Sequence, residues 1–240
     1  MVGAAALIVL AYEDDIGGIG KASYSEFAGK RKLLIVPYVT PTRPGAVLDE
    51  MVCTYWQDAI DQVRKLEVGL GDVRHVFHEG SVAEGPEATA ILEEGNQHGY
   101  PHLRKIFDAG VKLEPTEDIE CLKETLDLHR CLAVVEVSRS VAQRLTAWFE
   151  DSRKSRYSAI AANVNKRLGE NSAGVLVISP DHEVQFTEDI EVVYVVPPVL
   201  DQINKWLRDN PLASEHQESV LATEPAILGS EGDGPSSTEL

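Results

Sequence analysis

The chain has 240 residues and sets 39 Asp and Glu against 22 Lys and Arg, a formal net charge of −17. That length buries a core without staples, and three cysteines with no C-x-x-C pair exclude a disulfide framework and a cysteine-type zinc site. The charge argues against phosphate backbones and anionic lipid as partners unless a local basic patch exists, and the nearest runs, residues 30–32 and 153–156, are short.

Residues 1–12, MVGAAALIVLAY, are apolar but lack a positive leading region and a small-residue cleavage site. They also fall short of the roughly twenty residues that span a bilayer. They read as the approach to a buried first strand, 5–12, in a soluble, cytoplasmic protein. An acidic loop follows at 13–20, then a strand at 32–39 closed by Pro41 and Pro44. A long helix covers 46–67: Leu48, Met51, Val52, Tyr55, Ala59, Val63 and Leu66 keep to one helical face, and Asp49, Asp58, Asp61 and Lys65 point away. Gly69 and Gly71 stop it.

A strand at 73–78 ends in His78, Glu79 and Gly80, and a helix covers 86–94. Residues 95–101 break the pattern before another turn or two of helix at 103–108. A short strand at 111–113 precedes a helix capped by Thr116 and running to about 128. The apolar run 131–137 reads as a strand. Val141, Leu145, Trp148 and Phe149 then share one helical face, and Tyr157, Ile160, Ala161, Val164 and Leu168 another, in two helices or one continuous one. Cys53, Cys121 and Cys131 fall in these elements, so buried thiols in a reducing compartment are expected.

Residues 174–208 are the most informative stretch. Residues 174–178 and 192–196 are continuous β-branched runs of the kind covered on both faces, which places both strands in mid-sheet. Pro197 and Pro198 end the second and open a helix with a stripe at Val199, Leu200, Ile203, Trp206 and Leu207 that should pack on the sheet. The alternation of strands and helices predicts one α/β domain over residues 1–208, three-layered, with a mostly parallel sheet covered by helices. Residues 209–240 hold seven acidic residues and no Lys or Arg among small polar ones, the composition of a disordered acidic tail.

Three constellations are candidates for chemistry. The first is GGIGKAS, residues 17–23, which is similar to the phosphate loop of deviant Walker-type ATPases. Ala22 replaces the required hydroxyl, Ile16 the signature lysine, and Glu13, Asp14 and Asp15 repel phosphate, so a mobile acidic loop is the reading kept. The second is His78 with Glu79, at a strand's carboxyl end where open α/β sheets seat their ligands. Strand alternation puts His75 and His78 on opposite faces, and Gly99 and Pro101 keep His98 and His102 from forming a helical metal pair. The third is His182, flanked by Asp181 and Glu183, whose carboxylates would orient it and raise its basicity. Arg156, Ile160 and Ala161, the helix and strand that follow, and His182 are similar to the second half of the TraB and erythromycin-esterase type proteins. Ser179 stands where their glycine is expected, no first glycine–histidine motif is present, and the likeness covers about thirty residues, too few to name a family.

No G-x-S-x-G, H-E-x-x-H or G-x-G-x-x-G occurs, and the few aromatic residues are not interleaved with basic ones. Without a complete catalytic constellation, the expected function is non-catalytic: a binding or regulatory protein for a small molecule or a basic protein partner, with no membrane role and room for an oligomer. The alternative is a small-molecule hydrolase-like enzyme gathering His78, Glu79, Arg156 and His182 beyond the strand ends. A translation-factor-like RNA-associated protein ranks third, because the charge opposes it. The sequence names no cofactor.

Overall fold

The structure, a computed structural model, describes residues 30–134 and 138–211. The expected first strand at 5–12, the loop with GGIGKAS, and most of the acidic tail lie outside them. The chain divides into two units, Met1–Ile203 and Asn204–Leu240; the described part of the second is the end of one helix and two residues after it.

The elements run β1 (Arg31–Pro37), α1 (Ala46–Leu70), β2 (Val73–His78), α2 (Gly85–Gly95), α3 (Tyr100–Phe107), β3 (Lys112–Glu114), α4 (Ile119–Ala133), α5 (Arg139–Arg167), β4 (Ala173–Ile178), β5 (Ile190–Tyr194) and α6 (Val199–Asp209). The five strands form an all-parallel sheet in the order β3-β2-β4-β1-β5, with β4 paired on both sides. This is the α/β fold that the alternation predicts. Both faces are covered, which is why β1 and β4 are apolar at nearly every position rather than at alternate ones.

One face presents Leu33, Ile35, Phe77, Leu176 and Ile178 to Tyr157, Ile160, Val164 and Leu168 of α5. Leu34, Val36, Val76, Val175 and Val177 alternate to the other side, where α1 buries Leu48, Val52, Tyr55, Trp56, Ala59, Ile60 and Val63. Two aromatic side chains fix α1 against the end of β1. Tyr55 Oη donates to the Pro37 carbonyl at 2.6 Å and Trp56 Nε1 to that of Val39 at 2.9 Å, so buried polar atoms find partners while the rings fill the layer.

Several expectations change. The run 131–137 is not a strand at its start: Cys131–Ala133 close α4, with Leu128 and Leu132 half-buried four residues apart, and residues 135–137 are not described. A short apolar run suits a helix stripe as well as a strand. Thr116 does not cap α4; Asp118 does, accepting the Glu120 and Cys121 N–H groups at 3.0 Å each. Thr116 is instead buried beyond β3. The helix α1 passes through Gly69 and ends at Gly71, whose φ of 99° is open to glycine without a Cβ penalty. The two candidate helices after 137 are one, α5, of 29 residues.

The strand expected at 192–196 begins at Ile190 and lies at the end of the sheet among the described strands rather than in its middle, and its burial is interrupted where that of β4 is complete. Its continuous apolar run concealed an end position. Cys53 and Cys131 are exposed and Cys121 is partly covered; all three are free thiols, against the expectation of burial. In α6, Val199 and Ile203 of the expected stripe are buried. No helix among the described residues is long and apolar enough to cross a membrane.

Candidate functional site

Because the sheet is parallel, all its carboxyl ends share one edge, and β2 lies directly beside β4. That brings together the loops that follow them, the arrangement needed for residues 78–79 and 179–183 to meet. Beyond β1 stands Tyr38, whose N–H continues the ladder to the Ile178 carbonyl at 2.7 Å. Beyond β2 stands Glu79, whose N–H reaches the Val177 carbonyl at 2.8 Å. Gly80 turns the chain at φ 85°, and the Ser81 carbonyl then accepts both Thr116 and Glu117 N–H groups, at 2.8 and 2.9 Å, joining the loops after β2 and β3.

Arg156 of α5 is the centre of this edge. Its Nη2 donates to Glu79 Oε1 at 3.0 Å, and its Nε to both carboxylate oxygens of Glu117, at 3.1 and 3.0 Å. Nη2 also bonds Glu117 Oε1. The second oxygen of Glu79 accepts the Ser179 N–H at 2.6 Å, and Glu117 also accepts the Gly80 N–H at 3.2 Å. One guanidinium thus ties the ends of β2 and β3, and through Glu79 the end of β4. The Glu117 side chain has no exposed surface and that of Arg156 is 11 % exposed. Burial alone would disfavour the guanidinium charge, but Glu117 and then Glu79 outweigh it and hold its pKa above the ordinary value.

His78 lies on the opposite face from Arg156, and both its nitrogens are used. Nδ1 sits 2.6 Å from the Glu79 carbonyl, which can only accept, so Nδ1 carries the proton. Nε2 then accepts from Asn96 Nδ2 at 3.2 Å, because Asn96 Oδ1 is taken by the Gly99 N–H at 2.9 Å. The His78 N–H donates to Thr116 Oγ1 at 3.0 Å, and Tyr38 packs edge-on against the ring at 4.9 Å. Burial lowers the His78 pKa from 6.5 to about 4, with the bond to the Glu79 carbonyl opposing. The imidazole is neutral and internally committed.

His182 stays within its own loop. Its N–H donates to the Ser179 carbonyl at 3.2 Å, its Nδ1 accepts the Val184 N–H at 3.3 Å, and its ring stacks on Tyr194 at 6.2 Å. Its pKa is lowered by burial, which outweighs the Asp181 carboxylate that sequence alone offered as a source of basicity. Glu183 turns instead to Arg153, at 3.3 Å. Among the four candidates, then, Glu79 and Arg156 meet directly and His78 adjoins them through the backbone. His182 reaches them only by way of Ser179.

His75 is engaged elsewhere, its Nδ1 2.8 Å from Glu114 Oε1 and its ring stacked on Phe77. His98 pairs with Asp49 at 3.4 Å. No group of three or more His, Cys, Asp or Glu among the described residues is placed to hold a metal.

Sequence reasoning missed Glu117, Asn96, Tyr38 and Thr116. Glu117 stood in an acidic run that resembles an ordinary first helical turn, and nothing local marks it as buried. Beside this network lies a cleft of about 130 Å³, bounded by Tyr38, His78 and Glu79 on the strand side and by Ile91, Leu92 and Gly95 of α2. Tyr38 Oη donates to the Gly95 carbonyl at 3.0 Å across its mouth. Its lining is mainly apolar, and its place beyond the strand ends is where open α/β sheets hold ligands. No family model, curated protein or solved structure matches the chain.

Proposed function

We propose that this chain is a non-catalytic small-molecule-binding protein whose ligand enters the cleft between Tyr38, His78 and α2. The observation that carries this reading is that His78, Glu79 and Arg156, three of the four groups proposed for chemistry at the carboxyl edge, are bound to one another or to the protein backbone and side chains around them. His78 uses both nitrogens, Glu79 both oxygens, and Arg156 spans two carboxylates. A general base needs a free lone pair aimed at substrate, and a substrate-binding arginine needs an open fork. What the cleft offers is apolar surface and a tyrosine hydroxyl. At about 130 Å³ it holds the volume of roughly four liquid waters, which suits a compact ligand or the apolar end of a larger one.

The test is a fragment screen by protein-observed NMR, with p-nitrophenyl acetate and p-nitrophenyl phosphate assayed in parallel. Shifts confined to Tyr38, Ile91 and Leu92, abolished by Ile91→Arg, support the reading. Ile91 is exposed at the rim, so its substitution leaves the core intact. Turnover of either ester that disappears in Glu79→Gln or His182→Gln while the fold persists overturns it. That outcome favours the hydrolase reading, whose support is the 3.0 Å contact of Arg156 with Glu79 beside a cleft.

A further inference from the structure

The opposite edge of the sheet has a larger cleft, of about 580 Å³, between the late turns of α1 and α3 and the first residues of β2 and β3. Four cations line it, each from a different element: Arg64 from α1, Arg74 from β2, Lys105 from α3 and Lys112 from β3. In a chain of net charge −17, a concave surface would by composition alone be lined mostly by carboxylates. Here only Glu67 and Asp72 contribute, and Glu67 Oε1 is turned to the Val73 N–H at 2.9 Å.

None of the four cations is neutralised by a carboxylate among the described residues. Arg64 Nη2 meets the Lys105 carbonyl at 3.5 Å and Lys105 Nζ meets Gln57 Oε1 at 3.1 Å, both neutral oxygens. Arg74 and Lys112 are exposed and enter no salt bridge among the described residues. The carboxyl-terminal dipole of α3 accounts for Lys105 in its last turn, but Arg74 and Lys112 are strand residues with no such role. The last carbonyls of α3 are themselves taken, those of Arg104, Ile106 and Phe107 by the N–H groups of residues 108–110, so they leave the cleft to its cations.

We propose that this cleft binds a small phosphorylated molecule through a multiply charged phosphate group gripped by Arg64, Arg74, Lys105 and Lys112. Guanidinium and ammonium groups on separate elements suit an anion with several oxygens, each taking a charge-assisted hydrogen bond. The volume falls within the usual range of about 300–1,000 Å³ for small-molecule sites. A nucleic acid is the weaker occupant: it needs a basic stripe running on across the surface, whereas this positive patch is enclosed in an acidic chain that repels a long polyanion more than a short one. The site lies at the amino edge, away from the Tyr38 cleft, and does not rest on the function proposed above.

Isothermal titration of the full chain with pyrophosphate, ADP and inorganic phosphate at low ionic strength tests this. Pyrophosphate and ADP should bind with one site, more tightly than phosphate, and weaken as KCl is raised. Arg74→Ala combined with Lys112→Ala should weaken pyrophosphate by about tenfold or more, as expected for losing charge-assisted bonds. Lys105→Glu, at an exposed helical position, should do the same without touching the sheet. Absence of pyrophosphate and ADP binding, binding unchanged in both variants, or a single-stranded oligonucleotide that binds more tightly than ADP would each overturn the proposal.

Discussion

The two edges of the sheet hold charge in opposite ways. At the carboxyl edge the Arg156 side chain is largely buried and paired with Glu79 and Glu117. At the amino edge Arg64, Arg74, Lys105 and Lys112 stand exposed around a cleft and form no salt bridge with a carboxylate among the described residues. A charge removed from water must find its counter-charge inside the fold, whereas one left in water is free to take a ligand. Substitution of the paired charges at the carboxyl edge should therefore cost stability, and substitution of the exposed cations at the amino edge should cost anion binding.

The largest effect is expected from Arg156→Met. It leaves the fully buried Glu117 carboxylate and the largely buried Glu79 uncompensated, and breaking a buried pair in this way costs about 3–5 kcal/mol. Urea denaturation of the two proteins measures it; a loss comparable to that of an exposed pair would show that solvent already reaches the cluster.

His78 gives the next effect, through pH. Its folded pKa of about 4 lies below the unfolded value of 6.5, so the unfolded chain takes up the proton first as pH falls. The stability held by the neutral ring is complete above 6.5, declines below it, and levels off below about 4, for a total of about 3 kcal/mol. Comparing stability across that window in the parent and in His78→Asn isolates this contribution from that of the carboxylates. Equal slopes in the two proteins would mean that His78 titrates as freely as in the unfolded chain.

A smaller loss is expected at Gly99, which supports the same ring indirectly. A Cβ there would lie 2.5 Å from Asn96 Nδ2 and 2.6 Å from Trp56 Cε2. Gly99→Ala must therefore displace the amide that bonds His78 or the indole in the core, and overpacking of this kind costs about 1–3 kcal/mol. Thermal denaturation reads the loss, and a melting temperature equal to the parent's would show that Asn96 and Trp56 yield without strain.

The smallest change should come from the amino edge. Arg74→Ala with Lys112→Ala removes exposed charges only, so stability should stay within about 0.5 kcal/mol of the parent. A larger loss would mean that these cations hold the fold together, and the contrast between the edges would fail.

The sequence by itself determined the layers. The continuous β-branched runs at 174–178 and 192–196 and the single apolar face of α1 follow from backbone period and burial, which are local properties. Those patterns also placed Glu79 at a strand's carboxyl end and Arg156 at the head of an amphipathic stretch of helix. They could not join them, because the two are 77 residues apart and Glu117, which lies between them, is 39 residues from Arg156 along the chain. Nor could they rank the histidines, since whether a ring nitrogen is free depends on Asn96 and the Glu79 carbonyl in one case and on the Val184 N–H in the other. The end position of β5, the exposure of Cys53 and Cys131, and the gathering of four dispersed cations at one cleft belong to the tertiary structure for the same reason. Charge pairing and solvent access are set by which distant segments meet, and in a parallel sheet that is decided by strand order, which no local pattern encodes.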